Sequence, residues 1–149
     1  AGEILTAELD VAVFKDNTPR LADIDNDGRD EVWVVRSNFV SGARLEAYAI
    51  RDGQLQIRYT AEPVGIGFRW LNPIGVADMD GDGRNEVAYV VTPHIGGIIT
   101  VLKPRGDKLE VVATERGYST HAIGSPRLEL STLADLDVDG AADIILPVQ

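Results

Sequence analysis

The sequence contains no cysteine and only two histidines among its 149 residues. Without cysteine the chain has no disulfides, no thiolate zinc sites and no cysteine nucleophile. Apolar runs are short as well, and none approaches the roughly 20 residues that a membrane-spanning helix needs. These absences exclude disulfide-held scaffolds, cysteine enzymes and helical membrane proteins, so we expect no membrane insertion.

Basic residues are also scarce. Lysine and arginine number 14 against 24 aspartates and glutamates, which gives a formal net charge of −10. Such a charge argues against nucleic acid or an anionic membrane surface as a partner. The hydrophobic fraction of 44% is ordinary for a folded protein. The length suits a single domain, which we place at residues 1–149.

The acidic residues are concentrated in three similar stretches. These read "ADIDNDGRDEV" from Ala22, "ADMDGDGRNEV" from Ala77 and "ADLDVDGAADI" from Ala134, and they hold 13 of the 24 acidic residues. The first aspartates of successive stretches are 55 and 57 residues apart. That period is too long for common helical repeats and suits a unit of about four short strands.

The residues between the acidic stretches are typical of strands. Alternating, β-branched and aromatic segments such as "EVWVVRS", "QLQIRYT" and "EVAYVV" favour β-structure. Asp52-Gly53 and Gly106-Asp107 are two-residue hairpin signals. We therefore predict an all-β fold of four-stranded antiparallel propeller blades, with two full units, part of a third and one further N-terminal strand. Either the rest of a longer chain or further copies of this chain must then cover the open faces and edges.

Each acidic stretch has the spacing of a metal-binding loop. Side chains at loop positions 1, 3, 5 and 9 and the carbonyl at position 7 can converge on one ion, and glycine at position 6 permits the sharp bend. Many hard oxygen ligands, with no nitrogen or sulfur, favour Ca²⁺ over Mg²⁺, so we expect about three calcium ions. The candidate ligands are Asp23, Asp25, Asp27, Arg29 and Glu31; Asp78, Asp80, Asp82, Arg84 and Glu86; and Asp135, Asp137, Asp139, Ala141 and Asp143.

These loops are not EF-hands. An EF-hand needs a glutamate at position 12 and flanking helices. Position 12 is Val34, Tyr89 or Leu146 here, and the flanking segments are predicted strands. Instead, "ADIDNDGRDEVWVV", "ADMDGDGRNEVAYVV" and "ADLDVDGAADIILP" resemble FG-GAP/VCBS repeats, the blades of integrin-α-type β-propellers.

The resemblance covers nearly the whole chain and implies a function. In that family the loop joins the first and second strands of a blade and binds calcium. It implies a calcium-stabilised module that recognises a protein or carbohydrate, in an extracellular, cell-surface or periplasmic location. One alternative is the non-catalytic propeller portion of a secreted polysaccharide-acting enzyme, and another is a purely structural repeat in an adhesion protein.

A few other residues invite a functional interpretation. Trp70 lies between predicted strands, where it could bind a sugar or a protein; alternatively, Phe68 and Trp70 fill the joint between blades. His94 and His121 lie in loop-like sequence and are expected to be solvated. Arg105 to Asp107 spells an integrin-recognition tripeptide, but Gly-Asp is ordinary turn chemistry. Catalytic carboxylates are needed once, whereas these occur three times, so we expect no enzyme activity.

Overall fold

The computed structural model describes residues 4–15, 18–65, 69–93, 95–122, 124–125 and 130–148. Within these ranges the chain forms strands and no helix, so none is long and apolar enough to cross a membrane. The all-β prediction is therefore confirmed. The strands are β1 (Val13–Phe14), β2 (Arg20–Ala22), β3 (Glu31–Asn38), β4 (Gly42–Arg51), β5 (Gln54–Ala61), β6 (Leu71–Ala77), β7 (Glu86–Val91), β8 (Ile98–Arg105), β9 (Lys108–Arg116), β10 (Thr132–Ala134) and β11 (Asp143–Ile145).

The strands form two four-stranded antiparallel units and the beginning of a third. The first unit is β2-β3-β4-β5, with β1 pairing further along β3, and the second is β6-β7-β8-β9. In the third unit β10 pairs with β11. Both predicted hairpins are present: Asp52 and Gly53 have φ of +52° and +73°, and Gly106 has φ of +64°. The chain is thus an open segment of a propeller.

All three units share one register around the acidic loop. Ala22 pairs with Glu31, Ala77 with Glu86 and Ala134 with Asp143. The residue before loop position 1 therefore always faces loop position 9 across the first and second strands. Because strand pairing fixes the two ends of each loop, the three acidic stretches are held in equivalent places.

The core lies between the first two units. Trp33 is 2% exposed and packs in one cluster with Val35, Leu45, Val87 and Leu102. Strand residues alternate between faces, so this cluster takes alternate residues of β3 and of β7. The interpretation of Trp33 as a core residue is confirmed.

The other face of the second unit receives the third. A Cβ added to Gly75 of β6 would lie 2.6 Å from Cδ1 of Leu133 in β10. Glycine therefore allows the two inner strands to approach closely. The second unit is covered on both faces, as a propeller blade between two neighbours is.

The outer strands carry two features that the sequence pattern did not indicate. Thr60 and Ala61 of β5 pair in parallel with Lys108 and Leu109 of β9, which links the two units edge to edge. In both units the outer strand also has a register shift: Arg58 is the extra residue in β5, as Val112 is in β9. A bulge re-aims its extra side chain, and Arg58 turns toward the first acidic loop.

Candidate metal sites in the repeated loops

Each acidic loop brings three carboxylates together. In every loop the side chains of positions 1 and 3 belong to the cluster, and three ligand oxygens lie within 4.8 Å of one another. The third member differs, being position 5 in the first loop and position 9 in the other two. The clusters are Asp23, Asp25 and Asp27; Asp78, Asp80 and Glu86; and Asp135, Asp137 and Asp143.

The remaining predicted side-chain ligands lie beside these clusters. Glu31, Asp82 and Asp139 take part in the hydrogen bonds of their own loops. Arg29, Arg84 and Ala141 occupy position 7, and ligation by their carbonyl oxygens stays a prediction.

Backbone amides hold the carboxylates in the same way in all three loops. The position-1 aspartate accepts the amide of the position-6 glycine through Oδ2, at 2.9, 2.7 and 3.0 Å along the chain. The position-9 carboxylate accepts the position-2 amide at 2.9, 2.8 and 3.0 Å. The position-5 aspartate accepts the amide at position 7. Backbone amides therefore stabilise part of the negative charge of the carboxylates. From the sequence we expected a bound cation alone to do so.

Two left-handed residues shape each loop. Position 6 has φ of +85°, +81° and +94° at Gly28, Gly83 and Gly140. Position 4 is also left-handed, at Asn26, Gly81 and Val138, with φ of +60°, +73° and +62°. Asn and Gly adopt this conformation readily, whereas a β-branched residue is strained there. The third loop thus contains a local conflict that the other two lack.

A lysine of β8 contacts the carboxylates of the second loop. Nζ of Lys103 lies 2.8 Å from Asp80 Oδ2, 2.7 Å from Asp82 Oδ2 and 2.7 Å from Glu86 Oε1. Its hydrogen bonds lower the pKa of Asp82, and the three carboxylates raise the pKa of the lysine itself. The spacing within the loop did not indicate Lys103, although a lone lysine in the apolar strand "IITVLK" was an available signal.

In the first loop the cationic side chain is Arg58, which contacts the aspartate at position 3. Nη2 of Arg58 lies 3.0 Å from Asp25 Oδ2, and the Tyr59 hydroxyl donates to the same oxygen at 2.8 Å. Arg58 makes no ion pair with Glu31 among the described residues. Burial raises the pKa of Glu31, and the charges of Asp25, Asp27 and Asp23 add to the effect, while the Ile24 amide opposes it. The first loop therefore keeps uncompensated negative charge.

Neighbouring loops contact each other through position 8. Nδ2 of Asn85 donates to the Asp23 carbonyl at 2.6 Å, and the Asn85 amide donates to Asn26 Oδ1 at 2.9 Å. The Ala142 amide donates to the Asp78 carbonyl at 2.7 Å. The second and third loops are thus each hydrogen-bonded to the position-1 carbonyl of the loop before them. The spacing within one loop did not indicate this contact between units.

The donor set fits a hard divalent cation. All the side-chain donors are carboxylate oxygens, which calcium prefers. Oδ1 of Asp25 is buried and accepts no hydrogen bond from any described residue, although its partner oxygen Oδ2 accepts several. A buried carboxylate oxygen without a donor is costly unless a ligand satisfies it. The first loop therefore offers a free oxygen at a predicted ligand position.

The other candidate residues have different surroundings. Trp70 is partly buried and contacts the His121 ring edge to face, with centroids 5.2 Å apart. His121 is 3% exposed, so its expected solvation is wrong: it is buried against Trp70. His94 and Phe68 lie outside the described residues. Arg105 to Asp107 forms the β8–β9 turn, as expected.

The fold and its repeated loops define a propeller-type β-repeat protein with candidate cation sites. Residues 23–89 match the family model for the FG-GAP-like repeat. This part of the chain is therefore an FG-GAP-like repeat, and it includes the first two acidic loops. The third loop lies beyond the match and shares their register and hydrogen bonds. Comparisons with curated proteins and with solved structures gave no match.

Proposed function

We propose that the three acidic loops bind calcium and that the ion stabilises the blades. The observation that carries this proposal is the recurrence of one arrangement: the same strand register, the same amide contacts and a three-carboxylate cluster in each unit. An active site is needed once per molecule. A feature repeated in every unit is better suited to stabilising the unit.

The chain's own residues explain how an ion would act there. Positions 1 and 9 lie at the ends of the first and second strands of a blade. A cation held between their carboxylates links the two strands and relieves the repulsion within the loop. Because folding brings the ligands together, calcium binding adds to the free energy of unfolding.

Thermal unfolding with calcium and with excess chelator tests the proposal. Calcium at about 100 times its dissociation constant stabilises the folded chain by about 2.7 kcal/mol per site, and we expect close to three bound ions by elemental analysis. Asp25→Asn should remove part of the stabilisation, because Asp25 belongs to the first cluster. Asp30→Asn is the matched control in the same loop, at position 8. Equal melting with calcium and chelator, and no bound ion, would refute the proposal.

A second feature supports a recognition role for the module, which we propose is non-catalytic. A cleft of about 780 Å³ at the edge of the second unit is lined by Trp70, Arg69 and Arg116 together with apolar residues. Neither arginine forms an ion pair with any described residue. Thr92 in the same cleft has φ of +47°, and backbone strain of this kind is common at binding sites. An aromatic ring and two cationic groups in one cleft suit a carboxylate-bearing carbohydrate.

Affinity electrophoresis in polygalacturonate, with dextran as the neutral comparison, tests this role. We expect retardation by polygalacturonate only, reduced in Trp70→Ala and Arg116→Ala and unchanged in Arg51→Ala, an exposed arginine elsewhere. Equal mobility in both gels would exclude the acidic carbohydrate and leave a protein ligand as the candidate. A catalytic domain elsewhere in a longer chain would instead favour the propeller portion of a secreted polysaccharide-acting enzyme. Each reading agrees with an extracellular, cell-surface or periplasmic location.

A further inference from the structure

Lys103 occupies the position of a cation in the second loop. The pairing of Val87 with Leu102 places it next to Glu86 across β7 and β8. Its Nζ lies 2.7–2.8 Å from oxygens at loop positions 3, 5 and 9. The side chains of Lys103 and Glu86 are 9% and 1% exposed, so their contact is shielded from water, whereas Asp80 and Asp82 are about half exposed.

We infer that Lys103 is an internal cation that stabilises the calcium-free second loop and that calcium must displace. The inference rests on the proposed calcium function and concerns the regulation of the same sites. It predicts unequal sites, with the second loop having a lower calcium affinity than the first.

Charge and space make the two occupants mutually exclusive. Asp80, Asp82 and Glu86 are predicted calcium ligands, and each contacts the ammonium group. Calcium requires carboxylate oxygens at 2.3–2.6 Å, and an ammonium group on the same oxygens would repel it at close range. Calcium affinity is therefore reduced by the free energy needed to move the lysine away.

The first loop lacks such an occupant among the described residues. Because Val32 pairs with Tyr48, the residue across from Glu31 in the first unit is Ala49, which carries no charge. Arg58 contacts Asp25 alone among the first loop's carboxylates. The third unit is described only as far as β11, before the strand that would correspond to β8, so the comparison concerns the first and second loops. One lysine in one strand thus distinguishes the second loop.

The displaced side chain has a place to go. A cavity of about 470 Å³ lies between the first and second loops, and Lys103 lines it together with Asp25, Asn85 and two arginines, Arg58 and Arg84. Lysine is long and flexible, so rotation of its stem moves the ammonium without a change in the strand. Release of Lys103 therefore requires no rearrangement of the fold.

The test compares Lys103→Met with Lys108→Met. Both substitutions remove one lysine from the same hairpin, but Lys108 is exposed and 3.9 Å from Glu62. Each is made in the full chain and in a background carrying Asp25→Asn and Asp137→Asn, which silence the first and third loops. Calcium affinity is measured by titration calorimetry and stability by thermal unfolding in chelator.

The inference predicts opposite effects under the two conditions. In chelator, Lys103→Met melts well below Lys108→Met, because its carboxylates lose their cation. With calcium, Lys103→Met binds at the second loop tenfold or more tightly, within the range of ordinary coupling between two ligands. If Lys103→Met is unfolded in chelator, restoration of its circular dichroism by calcium supports the inference. Lys103→Gln, which keeps a hydrogen-bond donor without the charge, should also show the gain in affinity.

Two failures can be told apart. If the unsubstituted chain binds calcium but Lys103→Met and Lys103→Gln show no gain, the inference is wrong and the proposed function stands. If no variant binds calcium and melting is insensitive to it, the proposed function and the displacement both fail. Equal melting of Lys103→Met and Lys108→Met in chelator would show that Lys103 does not stabilise the loop.

Discussion

The first and second acidic loops have nearly the same sequence and the same register, yet their electrostatics differ. Both hold their position-9 glutamate almost fully buried, at 2% and 1% exposure, with one oxygen on the position-2 amide. In the second loop that glutamate contacts Lys103. In the first loop Glu31 has three aspartates nearby and a raised pKa.

The difference arises outside the loops. Lys103 is supplied by the third strand of its unit and Arg58 by a bulge in the fourth, 17–33 residues from the carboxylates that they contact. A loop motif therefore specifies where oxygen ligands converge, while the neighbouring strands decide how much charge is left for a metal. Identical motifs need not be equivalent sites.

Replacement of each buried glutamate by glutamine should give the largest difference in stability between the two loops. Glu86→Gln should lower the melting temperature in chelator by several degrees, because it removes a carboxylate from Lys103. Glu31→Gln should raise it, because glutamine keeps an acceptor for the Ile24 amide and removes a charge that burial disfavours. Thermal unfolding of both variants in chelator at neutral pH shows whether the melting temperature falls in Glu86→Gln and rises in Glu31→Gln.

The pH dependence gives an independent check on Glu31. A carboxyl whose pKa is raised by folding makes ionised protein less stable, so its cost is absent below the unfolded value of 4.5 and grows as pH rises through the folded value. The advantage of Glu31→Gln should therefore disappear in acid and increase toward neutral pH. If both glutamine variants change the melting temperature in the same direction at neutral pH, the proposed electrostatic difference between the two loops is wrong.

The contact between the two loops has a smaller expected effect. Asn85→Ala removes the side-chain hydrogen bond to the Asp23 carbonyl and should lower the free energy of unfolding by about 1.5 kcal/mol. Asp30→Ala is the matched control, because Asp30 has the same loop position and no preceding acidic loop lies within the described residues. Urea unfolding measures both. Equal values would show that the loops are energetically independent.

The smallest expected effect lies in the third loop. Val138 is 86% exposed and left-handed where the other loops have Asn26 and Gly81. Val138→Asn should raise the free energy of unfolding by about 1 kcal/mol, because asparagine tolerates this conformation. Leu136→Asn, an exposed apolar residue of the same loop without a positive φ, is the control for the change in polarity. A loss of stability in Val138→Asn alone would contradict the assignment of strain.

Local patterns were enough to predict much of the fold. β3, β7 and the two hairpins follow from β-branched alternation and turn residues, which act over a few positions. The glycines at loop position 6 were likewise readable from the sequence, because a sharp bend needs a positive φ. The clustering of carboxylates at positions 1 and 3 follows from the same short spacing.

Contacts between distant residues were not predictable in this way. Lys103 and Arg58 reach the loops only because strand pairing and a bulge set their directions. Asn85 contacts Asp23 only because successive units pack face to face. The repeat period and the strand propensity of short segments do not indicate which residues far apart in sequence come into contact. The burial of His121 was not predicted for the same reason.

The order in which the loops fill tests the central claim most directly. Crystals soaked in increasing concentrations of a lanthanide, a calcium substitute with strong anomalous scattering, report occupancy at each loop separately. We predict a peak at the first loop before the second, where a peak appears only with Lys103 turned away from Asp80, Asp82 and Glu86. A first peak at the second loop with Lys103 in place, or no peak at any loop at saturation, would contradict the claim.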